Sequence, residues 1–305
     1  MEDPLTLMAN VAQPGARARR SGREVRTGPL LAPSVAPLVL WAFVPLAVTL
    51  WFSLLHYNLL DPVTRFVGFA NYSFLLTDPS LLDALWNTVA LVVGVLVASI
   101  VLGCLFAVLF DQDFYGCSVA RLLVIMPFFV MPTVSALIWK NLLMQPVNGL
   151  FAYITRSLGL GVIDWFGHWP LTSIGIIVAW QWVPFATLIL LTAIQSLDRE
   201  QVEAARMDGA KPVSMFFFIV LPHLARPITV VIMIETIFLL SIFAEILVTT
   251  NGGPGDASTN LPYLVYKTAL LDFDVGGGSA GGIVAVILAN VVAIFLLRTV
   301  ARSLD

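Results

Sequence analysis

Six long apolar runs constrain the possible folds of this chain more than any other feature of the sequence. Each contains a window of about 18 or more mostly apolar residues, the length that an α-helix needs to cross a bilayer. The runs do not alternate in polarity, and they are too long for barrel strands. The sequence therefore predicts an all-α, polytopic membrane protein with six transmembrane helices. The predicted spans are approximately Leu30–Leu55, Trp86–Phe110, Val119–Leu143, Leu171–Gln195, Leu224–Thr250 and Gly281–Leu297.

Composition supports this prediction. Of 305 residues, 59% are hydrophobic and only 11% are charged, more apolar surface than a soluble domain of this size can hide. The first run is too long for a signal-peptide core, so it is interpreted as a retained span. Residues 1–28 are rich in Ala, Arg, Pro and Gly without an apolar period. They are predicted to form a disordered basic cytoplasmic tail near lipid headgroups, with residues 29–305 as the six-helix domain.

The distribution of basic residues predicts the orientation. With the N-terminus inside, twelve of the 16 lysines and arginines lie on the cytoplasmic side, and only Arg65, Lys140, Arg156 and Lys267 lie outside. The positive-inside rule then places both termini in the cytoplasm, together with the polar loop at residues 198–222.

That loop is the most polar segment in the C-terminal two-thirds of the chain. On a helix, the charged residues around Glu203 share one face, Gly209 permits a sharp turn, and Pro212 suits the first turn of a second helix. Pro222 is expected to end the second helix before the next span. The segment is predicted to form a helix-turn-helix outside the bilayer. It is either an ordinary solvated loop or a surface that presses into another protein.

The segment resembles the EAA loop of ABC importer permeases. The match runs without a gap from Glu203-Ala204-Ala205 through Gly209 to Ile219 and Leu221-Pro222. The resemblance implies a coupling element seated in a groove of a separate ATPase subunit. The coupling residues it implies are Glu203, Ala204, Ala205, Asp208, Gly209, Ala210, Ile219, Leu221 and Pro222.

The fourth run contains a candidate solute site. Gln181 is a polar side chain at membrane depth, flanked by Trp180 and Trp182 and followed by Pro184. Aromatic faces can pack on the C–H surfaces of sugars and polyols while amides hold hydroxyl groups. The alternative is that Gln181 hydrogen-bonds a neighbouring helix and the indoles simply pack. Resemblance to maltose-type permeases implies that Gln181, Trp182 and Phe185 line the substrate pathway.

The fifth run contains two acidic residues, Glu235 and Glu245. Carboxylates in hydrocarbon usually face a cavity or a partner. On one continuous helix the two would be about 280° apart in rotation, so both could address one pathway, with Leu239 between them. Glu235 is a candidate for binding hydroxyl groups, and Glu245 for a gate or for pairing with another subunit. A proton-relay role also stays open.

Two further segments resemble carbohydrate-type ABC permeases. Gly252-Gly253-Pro254 forms a rigid turn after the fifth run, and Gly68 to Tyr72 carries a GxxNY pattern. The Gly-Gly-Pro arrangement is similar to the sugar-contacting half of maltose-like systems, and the stretches 128–152, 179–205 and 243–259 are similar to sorbitol and mannitol permeases. The resemblance implies a type I ABC importer permease in the bacterial cytoplasmic (inner) membrane. Its implied partners are a second homologous permease subunit, two ATP-binding subunits and an external solute-binding protein.

Several chemistries have no signature here. Lys140, Lys211 and Lys267 follow Trp, Ala and Tyr, so a Gly-Lys phosphate-binding loop is absent from the sequence. No metal-ligand cluster, catalytic constellation or nucleic-acid signature is visible. Cys104 falls within a span and Cys117 in a short loop, which predicts no disulfide. We expect a non-enzymatic subunit without its own cofactor, with ATP and magnesium bound by the partner ATPase.

Two other functions remain as alternatives. A proton-coupled secondary transporter would use Glu235 or Glu245 and would take up solute without an ATPase. A membrane scaffold without a solute path would tolerate apolar replacements at Gln181 and Glu235. The ungapped EAA match and the Gly-Gly-Pro turn argue against both.

Overall fold

The computed structural model describes residues 28–304, and most of these residues are helical. The predicted tail, residues 1–28, lies outside the described residues except for its last residue. The chain divides into two compact units, Met1–Leu46 and Ala47–Asp305, and the features below lie in the second. The elements in chain order are α1 (Gly28–Ser53), β1 (Leu55–Asn58), β2 (Asp61–Phe66), α2 (Ala70–Thr77), α3 (Pro79–Phe110), α4 (Cys117–Ile125), α5 (Pro132–Ile138), α6 (Leu150–Ser157), α7 (Trp165–His168), α8 (Pro170–Gln195), α9 (Arg199–Met207), α10 (Pro212–Met215), α11 (Leu221–Leu239), α12 (Ala244–Thr249), α13 (Leu261–Tyr266) and α14 (Val275–Leu304).

The predicted helical membrane architecture is confirmed. Within residues 28–304, five helical stretches are long and apolar enough to cross a membrane, and a sixth span results when one bent pair of helices is counted as a single crossing. The five are Val35–Ser53, Pro79–Phe110, Pro170–Gln195, Pro212–Leu239 and Val275–Arg298, and the bent pair is Cys117–Phe129 with Pro132–Leu143.

The third predicted span is broken at its two prolines. Pro127 lies in a short 3-10 turn, Met126–Phe129, and the helix axes on either side of the break differ by 110°. Val130 and Met131 are extended, with ψ of 131° and 139°. A proline disfavours the helical conformation of the residue before it, so Pro132 accounts for the extended Met131.

The fifth predicted span differs from expectation at both ends. Pro222 does not end a helix, because Pro212–Leu239 is continuous and contains a π-helical turn at Phe216–Val220 just before this proline. A π-turn leaves a carbonyl without its usual α-helical donor, so a residue that lacks an N–H is tolerated there. The helix then stops at Leu239, and α12 begins only at Ala244. The run is therefore two helices.

A short antiparallel hairpin follows α1, although the sequence predicts only helices. β1 and β2 pair Leu55 with Phe66. The Asn71 amide donates to the carbonyls of Ser53 at 2.9 Å and Leu55 at 2.8 Å, and the Tyr72 hydroxyl lies 2.6 Å from Ser53 Oγ. The GxxNY pattern thus ties the end of α1 to the hairpin.

The helix α8 is the centre of the core. Its span is 61% buried, whereas the other four continuous spans are at most 33% buried. It packs mainly against α3 and α11. Gly103 of α3 allows this close approach, because a Cβ there would lie 2.8 Å from the Ala186 Cβ of α8. The interior is therefore organised around the helix that carries Gln181.

Candidate functional site

Residues 198–222, which we call the coupling segment, form the predicted helix-turn-helix. Asp198 caps α9 by accepting a hydrogen bond from the Glu200 N–H at 3.0 Å. α9 ends at Met207, and Gly209, two residues further on, has a φ of +80°, the left-handed conformation that favours glycine. The Ala210 N–H donates to the Ala205 carbonyl at 3.0 Å and closes the turn.

The residues of the coupling motif lie on the surface of the subunit. Four are half-buried, namely Ala205, Ala210, Ile219 and Leu221; five are exposed, namely Glu203, Ala204, Asp208, Gly209 and Pro222. Apolar side chains are exposed beside them, with Met207 at 88% and Phe218 at 79%. A segment with charged and apolar groups exposed side by side can present a binding surface to another protein.

Gln181 lies next to the break in the third span. Its Nε2 donates to the Val130 carbonyl at 2.9 Å, and the residue is only 6% exposed. The break takes Val130 out of the helix, so the amide satisfies a backbone group within the apolar interior. The hydrogen bond to a neighbouring helical segment, considered above as the alternative to a solute site, is therefore formed. Solute binding by Gln181 stays a prediction.

Trp182 and Phe185 belong to an aromatic cluster at the same depth. The ring centroids of Trp182, Phe185 and Phe128 are mutually 5.9 Å apart, and Phe238 lies 5.2 Å from Trp182. Phe128 is 38% exposed and Phe238 is 55% exposed, so the cluster forms a partly open aromatic surface. Sequence analysis did not single out Phe128 or Phe238, because they come from the third and fifth runs and only the fold brings them to α8.

Glu235 occupies the packed side of α11. It is 0% exposed and follows the buried Val231 by one turn, with the buried Leu239 one turn further on. Neither carboxyl oxygen has a hydrogen-bond partner among the described residues, and neither does Ser99 Oγ. The Ser99 hydroxyl is close enough to interact with the carboxyl group but lies outside regular hydrogen-bond geometry. The structure therefore places Glu235 in a helix seam of this subunit.

Glu245 is in the first turn of α12 and is 5% exposed. The break after Leu239 separates it from Glu235, so the rotation counted along one continuous helix does not apply to the two acids. Lys140 of the bent span donates to the Val248 carbonyl at 2.9 Å, near the end of the same short helix. α12 is thereby held at its C-terminal end by a cation, which is favourable for a helix dipole.

Residues 249–274, which we call the exit segment, contain a buried polar network that the sequence analysis missed. Asn260 is 0% exposed; its Nδ2 donates to the Ile242 carbonyl at 2.6 Å, and its Oδ1 accepts from the Tyr263 N–H at 3.0 Å. Asn87 of α3 donates to the Thr259 carbonyl at 3.0 Å. The available signal was a polar residue, Asn87, inside an apolar run.

The exit segment also contains an ion pair. Lys267 Nζ lies 2.8 Å from Asp256 Oδ1, and both side chains are 35% exposed. The hydrogen bond from Lys267 lowers the pKa of Asp256, and the same bond raises the pKa of Lys267. Gly252, with φ of +82°, sits within this segment and would bring an added Cβ against Thr259 and Tyr263. The Gly-Gly-Pro turn is thus packed into the fold.

No group of His, Cys, Asp and Glu side chains suited to a metal ion occurs in the described part, residues 28–304. Cys104 and Cys117 are both free thiols.

Among residues 28–304, five continuous spans and one broken span, with an exposed helix-turn-helix between two of them, define a polytopic helical membrane protein. The chain belongs to the family of binding-protein-dependent transport system inner membrane components, whose sequence model matches residues 99–305. The family membership and the fold together confirm the predicted ABC importer permease and its inner-membrane location.

Two relatives and one solved structure show the extent of the similarity. The chain is 34% identical over 272 residues to a probable ABC transporter permease protein, y4oQ, from Sinorhizobium fredii, covering 87% of this chain and 88% of the relative. It is 31% identical over 279 residues to the trehalose/maltose transport system permease MalF from Thermococcus litoralis, covering 90% and 94%. A crystal structure of a bacterial ABC transporter involved in alginate import matches with a TM-score of 0.75 at 20% identity, covering 90% and 94%. This last likeness concerns the fold alone.

Proposed function

We propose that this chain forms half of the translocation pathway of an ATP-driven importer for a polyol or a small carbohydrate, such as a sorbitol- or mannitol-like solute. The class of transporter follows from the family. The substrate class is supported by the resemblance of several stretches to polyol permeases and by the trehalose/maltose name of the Thermococcus relative.

Coupling to ATP hydrolysis occurs through the coupling segment. The observation that carries this proposal is the exposure of Glu203, Ala204 and Asp208 around a turn fixed by Gly209. A buried loop could not enter a groove of another subunit. In the proposed complex, two ATP-binding subunits hold ATP and magnesium, and this chain is non-catalytic and binds no cofactor of its own.

The substrate pathway is proposed to run along the partly open aromatic surface at mid-depth. Trp182 and Phe185 present ring faces that suit the C–H surfaces of a sugar or polyol. Gln181, Glu235, Leu239 and Glu245 are each at most 6% exposed in this subunit. They reach the solute only if transport opens the packing around them, so the aromatic pair is the better candidate for direct contact.

The remaining partners are an external solute-binding protein, as the family description implies, and a second homologous permease subunit, as the resemblance to ABC importer permeases implies. Both termini and the coupling segment face the cytoplasm in this proposal, because twelve of the 16 basic residues then lie inside.

Uptake by the reconstituted complex tests the proposal. The full chain is assembled with its partner subunits and binding protein in proteoliposomes, and uptake of a labelled panel of polyols, disaccharides and amino acids is measured with ATP inside. We expect uptake of a polyol or sugar that requires both ATP and the binding protein. A complex with an ATPase-inactive partner subunit is the control.

Three outcomes would contradict specific parts of the proposal. Uptake that survives with the inactive ATPase and collapses with a protonophore would identify a proton-coupled transporter. Uptake restricted to amino acids would overturn the substrate class but leave the coupling intact. If the binding protein binds a solute of the panel and the complex still does not take that solute up, the result would support a scaffold role.

A further inference from the structure

The helix α6 has an exposed apolar face. Leu150, Tyr153, Ile154 and the C-cap residue Leu158 lie at positions i, i+3, i+4 and i+8, so they share one side of the helix. Their exposures are 48%, 72%, 42% and 68%. We call these four residues the α6 stripe.

The side of α6 opposite the stripe, at Ala152, and one flank, at Phe151, hold the helix against the protein. Ala152 is 5% exposed. The Phe151 ring lies 6.1 Å from Trp139 and 5.7 Å from Trp165, measured between centroids. The helix is therefore apolar on two sides, one packed on the subunit and one open. An open apolar stripe on a fixed helix indicates a further apolar neighbour.

The position of α6 favours lipid as that neighbour. The helix follows the end of the bent span at Leu143 after a tight turn, in which the Gly149 N–H donates to the Gln145 carbonyl at 2.9 Å. Leu142, near the end of that span, is 62% exposed, so apolar side chains are open on both sides of the turn that connects the span to α6. Trp169, 53% exposed, precedes α8 at the same end of the bundle, and tryptophan is enriched at membrane–water boundaries.

The polar groups of α6 also favour lipid over a protein partner. The Ser157 hydroxyl, which shares the exposed side, donates to the Tyr153 carbonyl at 2.7 Å, and Thr155 Oγ1 donates to Ala152 at 3.2 Å. The stripe therefore offers no side-chain amide or carboxylate to a docking protein, whereas protein interfaces carry roughly one hydrogen bond per 100–200 Å². The charged side chain of the helix, Arg156, is exposed and donates to the Pro146 carbonyl at 3.1 Å, and its remaining N–H groups suit lipid phosphates.

We propose that α6 is an interfacial helix whose stripe of Leu150, Tyr153, Ile154 and Leu158 inserts into the bilayer leaflet at the end of the bundle opposite the coupling segment. Arg156 lies on the other side of the helix from Ile154, toward the headgroup region. This contact is additional to the lipid surface of the spans, and it fixes the depth of the bent span in the membrane.

Two spin labels on the same helix test the proposal. In the assembled transporter, with Cys104→Ala and Cys117→Ala as background, a nitroxide is attached to Ile154→Cys or to Arg156→Cys, which point about 200° apart. The expected result is a severalfold higher ratio of oxygen to nickel-chelate collisions at position 154 than at position 156. Equal accessibility to the nickel chelate at both positions would overturn the proposal.

A second measurement distinguishes a protein occupant. A photoreactive diazirine side chain is placed at position 154 in the chain with its native cysteines, and the adducts are identified by mass spectrometry with and without the binding protein. We expect phospholipid adducts in both conditions. Adducts to the binding protein would assign the stripe to a protein interface and refute the lipid contact. Loss of the phospholipid adducts at position 154 only when that protein is present would have the same meaning.

Discussion

The coupling segment and the exit segment are both polar stretches near the ends of the long helix Pro212–Leu239. They differ in the exposure of their polar groups. In the exit segment, Ser258, Thr259 and Asn260 are at most 1% exposed, and their side chains bond to backbone carbonyls, N–H groups or other side chains. In the coupling segment, Glu203 and Asp208 are exposed, and Met207 is 88% exposed beside them.

The difference shows that polarity between two spans does not by itself indicate a binding surface. Buried polar groups with complete hydrogen bonds fix a local structure. Exposed polar and apolar groups on a capped helix leave a surface available to a partner. We therefore expect changes in the exit segment to act mainly on stability, and changes to the exposed side chains of the coupling segment to act on transport without loss of stability.

The largest expected effect on stability is at Asn260. Asn260→Ala removes the bonds to Ile242 and Tyr263 and leaves two buried backbone groups unpaired, which should lower the free energy of unfolding by about 2–4 kcal/mol. The melting temperature in detergent measures this change. Asn290→Ala is the matched control, because Asn290 is exposed and bonds Val286 of its own helix. Equal shifts for the two variants would remove the distinction between the segments.

The largest expected effect on transport without unfolding is at Glu203. Glu203→Lys should reduce ATP-dependent uptake at least tenfold, which corresponds to about 1.4 kcal/mol of lost coupling, because it reverses an exposed charge in the proposed ATPase contact. Uptake and melting temperature are measured together, and the latter should not change. Glu200→Lys is the control in the first turn of the same helix. Full uptake by Glu203→Lys would refute the coupling role.

A smaller effect is expected at Gly209. Its φ is +80° and an added Cβ would meet nothing within 4 Å, so Gly209→Ala introduces only backbone strain, about 1 kcal/mol. Gly116 is a close match, with φ of +84° and equally open surroundings. Both alanine variants should lose similar stability, but only Gly209→Ala should lower uptake. A parallel loss of uptake in both would show that general destabilisation is responsible.

The smallest effect concerns the ion pair of the exit segment. The pKa of Asp256 is lowered, so its contribution to stability is present above the ordinary value of 3.8 and is lost as pH falls through the lower folded value. The pKa of Lys267 is raised, so its contribution is lost only as pH rises above 10.5. Because both side chains are 35% exposed, the pair should contribute about 0.5 kcal/mol.

Asp256→Asn should therefore lower the melting temperature slightly and by the same amount at pH 5 and pH 9, between the two titrations. A difference that grows across this interval would show that another group near the exit segment titrates with it.

Much of the fold could be predicted from the apolar runs, because a membrane span requires a long apolar helix whatever its neighbours are. The breaks could be predicted only in part. Pro132 was a visible signal for the break in the third span. The end of α11 at Leu239 had no such signal, and the hydrogen bond from Asn260 to the Ile242 carbonyl just beyond it forms only once the chain has folded back. Pro222 was misleading, because a π-turn accommodates it.

The candidate site shows the same limit. The helix-turn-helix of the coupling segment could be predicted because its helix cap, glycine turn and charges are local in sequence. Gln181 and Glu235 were recognised as polar residues at membrane depth, but sequence could not tell that Gln181 reaches the Val130 carbonyl or that Glu235 lies in a packed seam. Those outcomes depend on which helices pack together.

The continuous helix Pro212–Leu239 begins inside the coupling segment and ends before α12, which leads into the exit segment. With 28 residues at a rise of about 1.5 Å each, the helix is about 42 Å long. Just beyond its end at Leu239, the Ile242 carbonyl accepts a hydrogen bond from Asn260. The π-helical turn Phe216–Val220 and Pro227 inside α11 are two points at which this helix can bend, so only part of a tilt applied at its Pro212 end would reach the Leu239 end. Because this hydrogen bond anchors the chain just beyond Leu239, we expect the exit segment to hold that end of the helix in place when the Pro212 end moves.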